Sequence, residues 1–257
     1  MIAEVNGHSL YYETHGPENG SWVVALHHGL GAIPAWSSQI PALTRAGFRV
    51  LAYDRWGYGR SADRETLPLD YLDSEPGDLR DLMDGVGIMQ AHLLGHSDGG
   101  TIALLFAARH PQRVLRMVVA AAHIYNEEVG RAGLRHTRER YLHQAGFREP
   151  FRALHGERSD RLVLRWLDRW LAEDTTQLEM RALLREIRAP TLVIQGELDE
   201  FASLQHARDI ASGIAGAELW LIPGCRHNPN LERTTEFNMR VIEFLARPTP
   251  VAGSHPT

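Results

Sequence analysis

Residues 91–111 read AHLLGHSDGGTIALLFAARHP. The run 91–97 is short and apolar, as a buried strand should be, and GGTIALLFAARHP carries apolar residues at helical spacing. Between them lies Gly95-His96-Ser97-Asp98-Gly99, followed by Gly100. A strand entering a helix through G-x-S-x-G forms a turn so tight that the serine backbone is strained and its hydroxyl exposed. Side chains at the two flanking glycine positions would collide with neighbouring backbone. The helix opening at Asp98 aims its first amides and its positive dipole end at the same point, where an oxyanion would form. Ser97 is therefore the candidate nucleophile, and the Asp98 backbone amide a candidate oxyanion donor.

The same alternation extends outward in both directions. IAEV and HSLYYETHG suggest a leading hairpin. WVVALHHG (22–29), FRVLAYD (48–54), VLRMVVAAA (114–122), TLVIQGE (191–197) and AELWLIPG (217–224) are further short apolar runs. AWSSQIPALTRAG, DLRDLMDGVGI and LERTTEFNMRVIEFLAR have helical spacing. Strands alternating with helices imply right-handed crossovers and a doubly wound, mostly parallel α/β sheet. Ligands bind such sheets beyond the carboxyl ends of the strands. Residues 124–188 break the rhythm with helical pattern and no convincing strand. They are expected to form a helical lid inserted after strand 6, dividing the core into 1–123 and 189–248. Tyr125, Trp166 and Trp170, with Tyr141, are candidates to line a substrate pocket beneath it, although burial against the core explains each equally well. The tail 249–257 is rich in Pro, Gly and Ser and expected to fray.

A serine hydroxyl needs a neighbouring base. Of 14 histidines, His227 lies after the last strand, in IPGCRHNPNLE, at the carboxyl edge of the sheet. The third member should be a carboxylate ending an intervening strand, and TLVIQGELDE offers Glu197, Asp199 and Glu200. Asp199 is preferred, because the strand must end before a turn brings a short carboxylate back toward the histidine. A second oxyanion amide is expected from the glycine-rich turn His27-His28-Gly29-Leu30-Gly31, assigned to Leu30. His27 and His28 lack metal-ligand spacing and are expected to brace that loop. No metal and no cofactor is expected. Cys225, the single cysteine, sits in a Pro-Gly turn and reads as packing.

Composition narrows the function classes. The chain has 257 residues, 44% of them hydrophobic, which suits one core with a modest insertion. A net charge of -5 gives no basis for nucleic-acid binding. The stretch Arg131 to Arg140 reads as a solvated helical face. Nothing resembles a secretory signal or a bilayer span, so a cytoplasmic protein acting on a small molecule, without a membrane or nucleic-acid partner, is expected.

The ordered motifs HHGLG, YDRWGYGRS, GHSDGG, TLVIQGELDE and IPGCRHNPNLE resemble those of the α/β-hydrolase superfamily over nearly the whole chain. The resemblance implies Ser97 as nucleophile, Asp199 as acid, His227 as base and the amides of Leu30 and Asp98 as oxyanion donors. Asp54, Arg55, Gly57, Gly59 and Ser61 match a family loop that is usually structural. Haloalkane dehalogenases and epoxide hydrolases carry aspartate at the elbow, which Ser97 argues against. Meta-cleavage hydrolases usually have a more Gly-Pro-rich oxyanion loop. Size and short lid resemble those of enol-lactonases, small-ester hydrolases and valacyclovirase-like enzymes, the last sometimes with a similar S-D-G-G elbow. The implied activity is cleavage of an ester, lactone or thioester through an acyl-enzyme. Carbon-carbon hydrolysis or perhydrolysis with the same residues, and a ligand receptor on the same fold, are the alternatives.

Overall fold

The apolar runs pair because a strand buried on both faces leaves its backbone no partner but another strand. The computed structural model describes residues 1–174 and 178–248. Its sheet has eight strands: β1 (Ile2–Val5), β2 (His8–His15), β3 (Trp22–Leu26), β4 (Arg49–Tyr53), β5 (Ala91–His96), β6 (Val114–Ala120), β7 (Thr191–Gly196) and β8 (Glu218–Ile222). Their order is β1-β2-β4-β3-β5-β6-β7-β8. The β1–β2 hairpin and the β2–β4 pair are antiparallel, and every later pair is parallel. β5 is central, with Leu26 beside Gly95 on one flank and Ala120 beside His96 on the other. The sequence reading of a doubly wound, mostly parallel sheet therefore holds.

The helices are α1 (Gln39–Arg45), α2 (Tyr71–Val86), α3 (Asp98–Arg109), α4 (Glu128–His143), α5 (Ala145–His155), α6 (Ser159–Leu171), α7 (Leu204–Gly213), α8 (Pro229–Glu232) and α9 (Thr234–Leu245). Side chains alternate across the sheet with period two. Along β3, Val24 and Leu26 enter one core layer, with α2 and α3, while Val23 and Ala25 enter the other, with α1 and α9. α3 is buried continuously from Asp98 to Ala107, as expected of a helix between the sheet and other helices. No described helix is long and apolar enough to cross a membrane.

Two helix boundaries and one whole element differ from the sequence reading. α2 starts at Tyr71, well upstream of Asp78, and carries Pro76 inside it. Tyr71, Leu72 and Glu75 are buried there, so tertiary packing outweighs the proline. The C-terminal helical stretch divides at Arg233 into α8 and α9. Between β7 and β8, α7 is an element the sequence pattern did not single out.

α4, α5 and α6 all fall between β6 and β7. α6 buries Leu162, Val163, Trp166, Leu167 and Trp170, an i, i+4, i+8 stripe facing inward. Each of these apolar side chains contributes roughly 1.5–3 kcal/mol on burial, enough to seat a helix that the sheet does not hold directly. The proposed tail 249–257 lies outside the described residues.

Candidate active site

Ser97 follows β5 and precedes α3 with φ 54° and ψ -122°, a left-handed conformation that side chains rarely adopt. Several contacts over-determine it. Its amide donates to Ala120 O at 2.9 Å, and its carbonyl accepts from Thr101 N at 3.0 Å. Gly99 lets the turn pass close to β3, for a Cβ there would lie 2.1 Å from Leu26 O. Strain of this kind costs of order 1–3 kcal/mol and persists only where the surroundings enforce it.

The three candidate catalytic residues meet although they come from three separate strand ends. Ser97 Oγ lies 3.0 Å from His227 Nε2. His227 Nδ1 lies 2.9 Å from both Asp199 Oδ1 and Asp199 Oδ2. An ionised carboxylate only accepts, so Nδ1–H donates to it and leaves the Nε2 lone pair for the serine proton. Asp199 is itself fixed: Oδ1 accepts from the amides of Phe201 and Ala202 at 2.8 and 3.1 Å. Gln195 Nε2 donates to Oδ2 at 2.5 Å. Of the rival acids, Glu197 is exposed, and Glu200 lines the cavity described below without contacting Nδ1.

Burial pulls the pKa of His227 down, but the charge and hydrogen bond of Asp199 more than offset this, leaving it above the ordinary histidine value. Burial likewise pushes Asp199 up, while His227 and the two loop amides carry it below the usual carboxylate value. The pair thus favours an ion pair once the imidazole takes a proton.

The loop after β3 approaches the same point. His27 Nε2 accepts the Arg55 amide at 3.0 Å, so its Nδ1–H donates to His28 O at 2.8 Å, bracing the turn. Burial, then the Arg55 charge, holds the His27 pKa well below the ordinary value, consistent with a neutral brace. The Leu30 amide makes a long 3.4 Å contact with His28 Nδ1. Leu30, Ser97 and His227 border one cavity of about 650 Å³, within the range of small-molecule sites. Tyr125, Trp166 and Trp170 line it as well, together with His123, Phe147, Phe151 and Phe201.

Two expectations are corrected here. Tyr141 is buried away from this cavity, its hydroxyl donating to Asp160 Oδ1 at 2.7 Å, so it ties α4 to the start of α6. The stretch Arg131 to Arg140 is more than a solvated face. Gly133, Leu134, Thr137 and Arg140 line the cavity, and Arg131 Nη2 donates to Leu171 O at 2.8 Å, capping α6. Helical periodicity reports that one face is polar but not what the other face covers. Cys225 is packed in the core, and burial pushes its thiol up to about 11, so it is no rival nucleophile. Among the described residues no group of three or more His, Cys, Asp or Glu could hold a metal ion.

Four contributors escaped the sequence reading. His96, inside the elbow motif, donates from Nε2 to His227 O at 2.8 Å and so fixes the backbone of that histidine. Gln195 is a polar amide in a wholly buried strand, a signal that was available. His155 meets the loop after β3. The Asp98 carboxylate was read only for its amide, yet it is fully buried. Its Oδ2 accepts from Tyr71 OH at 2.7 Å and Trp166 Nε1 at 3.0 Å, with Arg55 Nη2 at 3.5 Å. Burial alone would raise its pKa, but His123, Arg55 and Trp166 together hold it well below the usual range.

The α/β-hydrolase fold model matches residues 23–173. The chain belongs to the α/β-hydrolase family. Within that family it is 32% identical to the serine hydrolase BPHL of Mus musculus over 250 residues, covering 94% of this chain and 84% of the relative. It is 27% identical to a 2-hydroxy-6-oxo-6-phenylhexa-2,4-dienoate hydrolase of Comamonas testosteroni, with 88% of each chain covered. Among solved structures, the enol-lactonase from Burkholderia xenovorans LB400 superposes with a TM-score of 0.80 at 26% identity, covering 96% of this chain and 100% of that one. Hydrolysis is common to these relatives, whereas the bonds their names imply are not the same.

Proposed function

We propose that this α/β-hydrolase cleaves a carboxylic ester, lactone or thioester of a small molecule through an acyl-enzyme on Ser97. The observation carrying this reading is the hydrogen-bonded line from Ser97 Oγ through His227 to Asp199, opening onto a largely apolar cavity. Ser97 attacks the substrate carbonyl as His227 Nε2 takes its proton. The oxyanion is held by the amides of Leu30 and Asp98. His227 then protonates the departing alcohol, and water, activated by the same imidazole, releases the acid. α4 to α6 act as a lid, with Tyr125, Trp166 and Trp170 shaping the pocket.

The Comamonas testosteroni relative supports a second reading, in which the same residues hydrolyse a carbon-carbon bond. p-Nitrophenyl esters of increasing acyl length, assayed beside vinylogous diketones, separate the two. For the nucleophile itself, a fluorophosphonate probe should add once, at Ser97, and Ser97→Ala should take up none and lose ester turnover. Labelling elsewhere, or undiminished turnover by the variant, would end the proposal.

A further inference from the structure

We propose that Trp166 and His155, two residues of the helical cover, are positioning residues that hold the two oxyanion-binding amides, so that seating α5 and α6 completes the hole. This rests on the acyl-enzyme reading above and adds to it a role for residues that lie outside the triad.

Trp166 reaches both halves of the hole. Its Nε1 donates to Asp98 Oδ2 at 3.0 Å, and Asp98 carries one of the two amides. Its ring lies against Gly29, the residue before Leu30, so closely that a Cβ at Gly29 would fall 2.4 Å from ring atoms. α6 grips the same carboxylate a second time: Trp170 Nε1 donates to Tyr71 OH at 2.9 Å, and that hydroxyl donates to Asp98 Oδ2 at 2.7 Å. Moving α6 therefore pulls on the side chain of the residue whose amide faces the oxyanion.

His155 holds the other half. It is the buried residue of α5, and its Nε2 donates to Leu30 O at 3.1 Å while Nδ1 accepts from Gly59 N at 3.1 Å. The imidazole thus pins the peptide on the far side of Leu30 to the loop after β4. That loop is anchored in turn, with Asp54 Oδ1 accepting from Ile33 N at 2.7 Å. A cover serving only to wall the cavity would have no need of two donors placed on these two residues. Phenylalanine would keep an aromatic ring at position 166 without the desolvation cost of a buried N–H. Oxyanion donors act only within about 2.7–3.1 Å of the developing charge, and misplacement by about 1 Å costs on the order of 100-fold in rate.

The test compares Trp166→Phe and His155→Phe with the wild type, using a p-nitrophenyl ester and a trifluoromethyl ketone, which adds to the serine as an anionic hemiketal. Each variant should lower kcat roughly 10- to 100-fold, leave KM within about threefold, and weaken the ketone in the same proportion. A raised KM with kcat intact, or a lower kcat with unchanged ketone affinity, would overturn the inference by reducing these residues to cavity wall. If Trp166→Phe does not fold, His155→Phe carries the same test. Ser97→Ala run in parallel keeps the two levels apart: its inactivity upholds the acyl-enzyme reading whatever the cover variants do, and its activity removes that reading itself.

Discussion

Every residue of β5 is buried, whereas α5 buries His155 alone along its 11 residues. The strand leading to Ser97 is hydrogen-bonded on both flanks, to β3 and β6, and sandwiched between helical layers. The cover is held differently, by the apolar stripe of α6 and by single polar contacts such as Arg131 to the end of α6. Geometry at the strand ends is thus enforced by the whole core. Geometry under the cover depends on individual donors and acceptors. On the proposed reading, Ser97 and His227 should tolerate little, while α4 to α6 can shift without the molecule unfolding.

The sharpest way to probe the rigid side is Asp199→Asn, which keeps the shape but removes the charge that fixes the His227 tautomer. Turnover should fall about 10 000-fold with little change in melting temperature. In the wild type, His227 must be neutral to accept the serine proton, and its pKa lies above the ordinary value. The acid limb of kcat/KM should therefore fall above about pH 6.5, activity rising with pH through it. A limb at or below that value would contradict the pairing.

Beside the elbow, Arg55 is fully buried, near both Asp98 and Glu75 of α2. Arg55→Met should cost roughly 3–5 kcal/mol in chemical denaturation, because it strands buried carboxylates rather than removing a pair cleanly. A loss below about 1 kcal/mol would mean that Asp98 and Glu75 do not depend on this charge. Hydrogen exchange should then separate them directly: α5 amides should exchange at least ~100-fold faster than those of β5. Equal protection would erase the contrast. The smallest effect belongs to Gly146, near the start of α5, where a Cβ would meet nothing. Gly146→Ala should raise stability by about 0.5–1 kcal/mol, a melting shift of about 1–4 °C, with turnover unchanged.

The same contrast explains what could be read from the sequence. Runs such as LVIQG and HLLGH announce buried strands because period and composition are set by the core, and the residues that end them fall where the topology demands. Ser97, Asp199 and His227 were accessible on that ground. The start of α2 was not, since Pro76 and Gly77 look like a break until Tyr71 and Glu75 are seen to be buried. Nor was Asp98 as the acceptor of an indole from a helix 68 residues away, because no local pattern encodes which cover residue reaches which loop. Helical spacing marked α4 and α6 as helices, and only their packing distinguishes Trp166, which touches the elbow residue, from Tyr141, which does not.

The central claim is that Ser97 carries the acyl group between two steps. Mixing the protein with excess p-nitrophenyl ester in a stopped-flow instrument, with acid-quenched samples taken for intact mass and peptide mapping, tests it most directly. The account predicts acyl mass on Ser97 within the first turnover and, where deacylation is the slower step, a burst of one p-nitrophenolate per protein molecule. Turnover with no acyl mass trapped at any quench time, or with the acyl group on another residue, would contradict it.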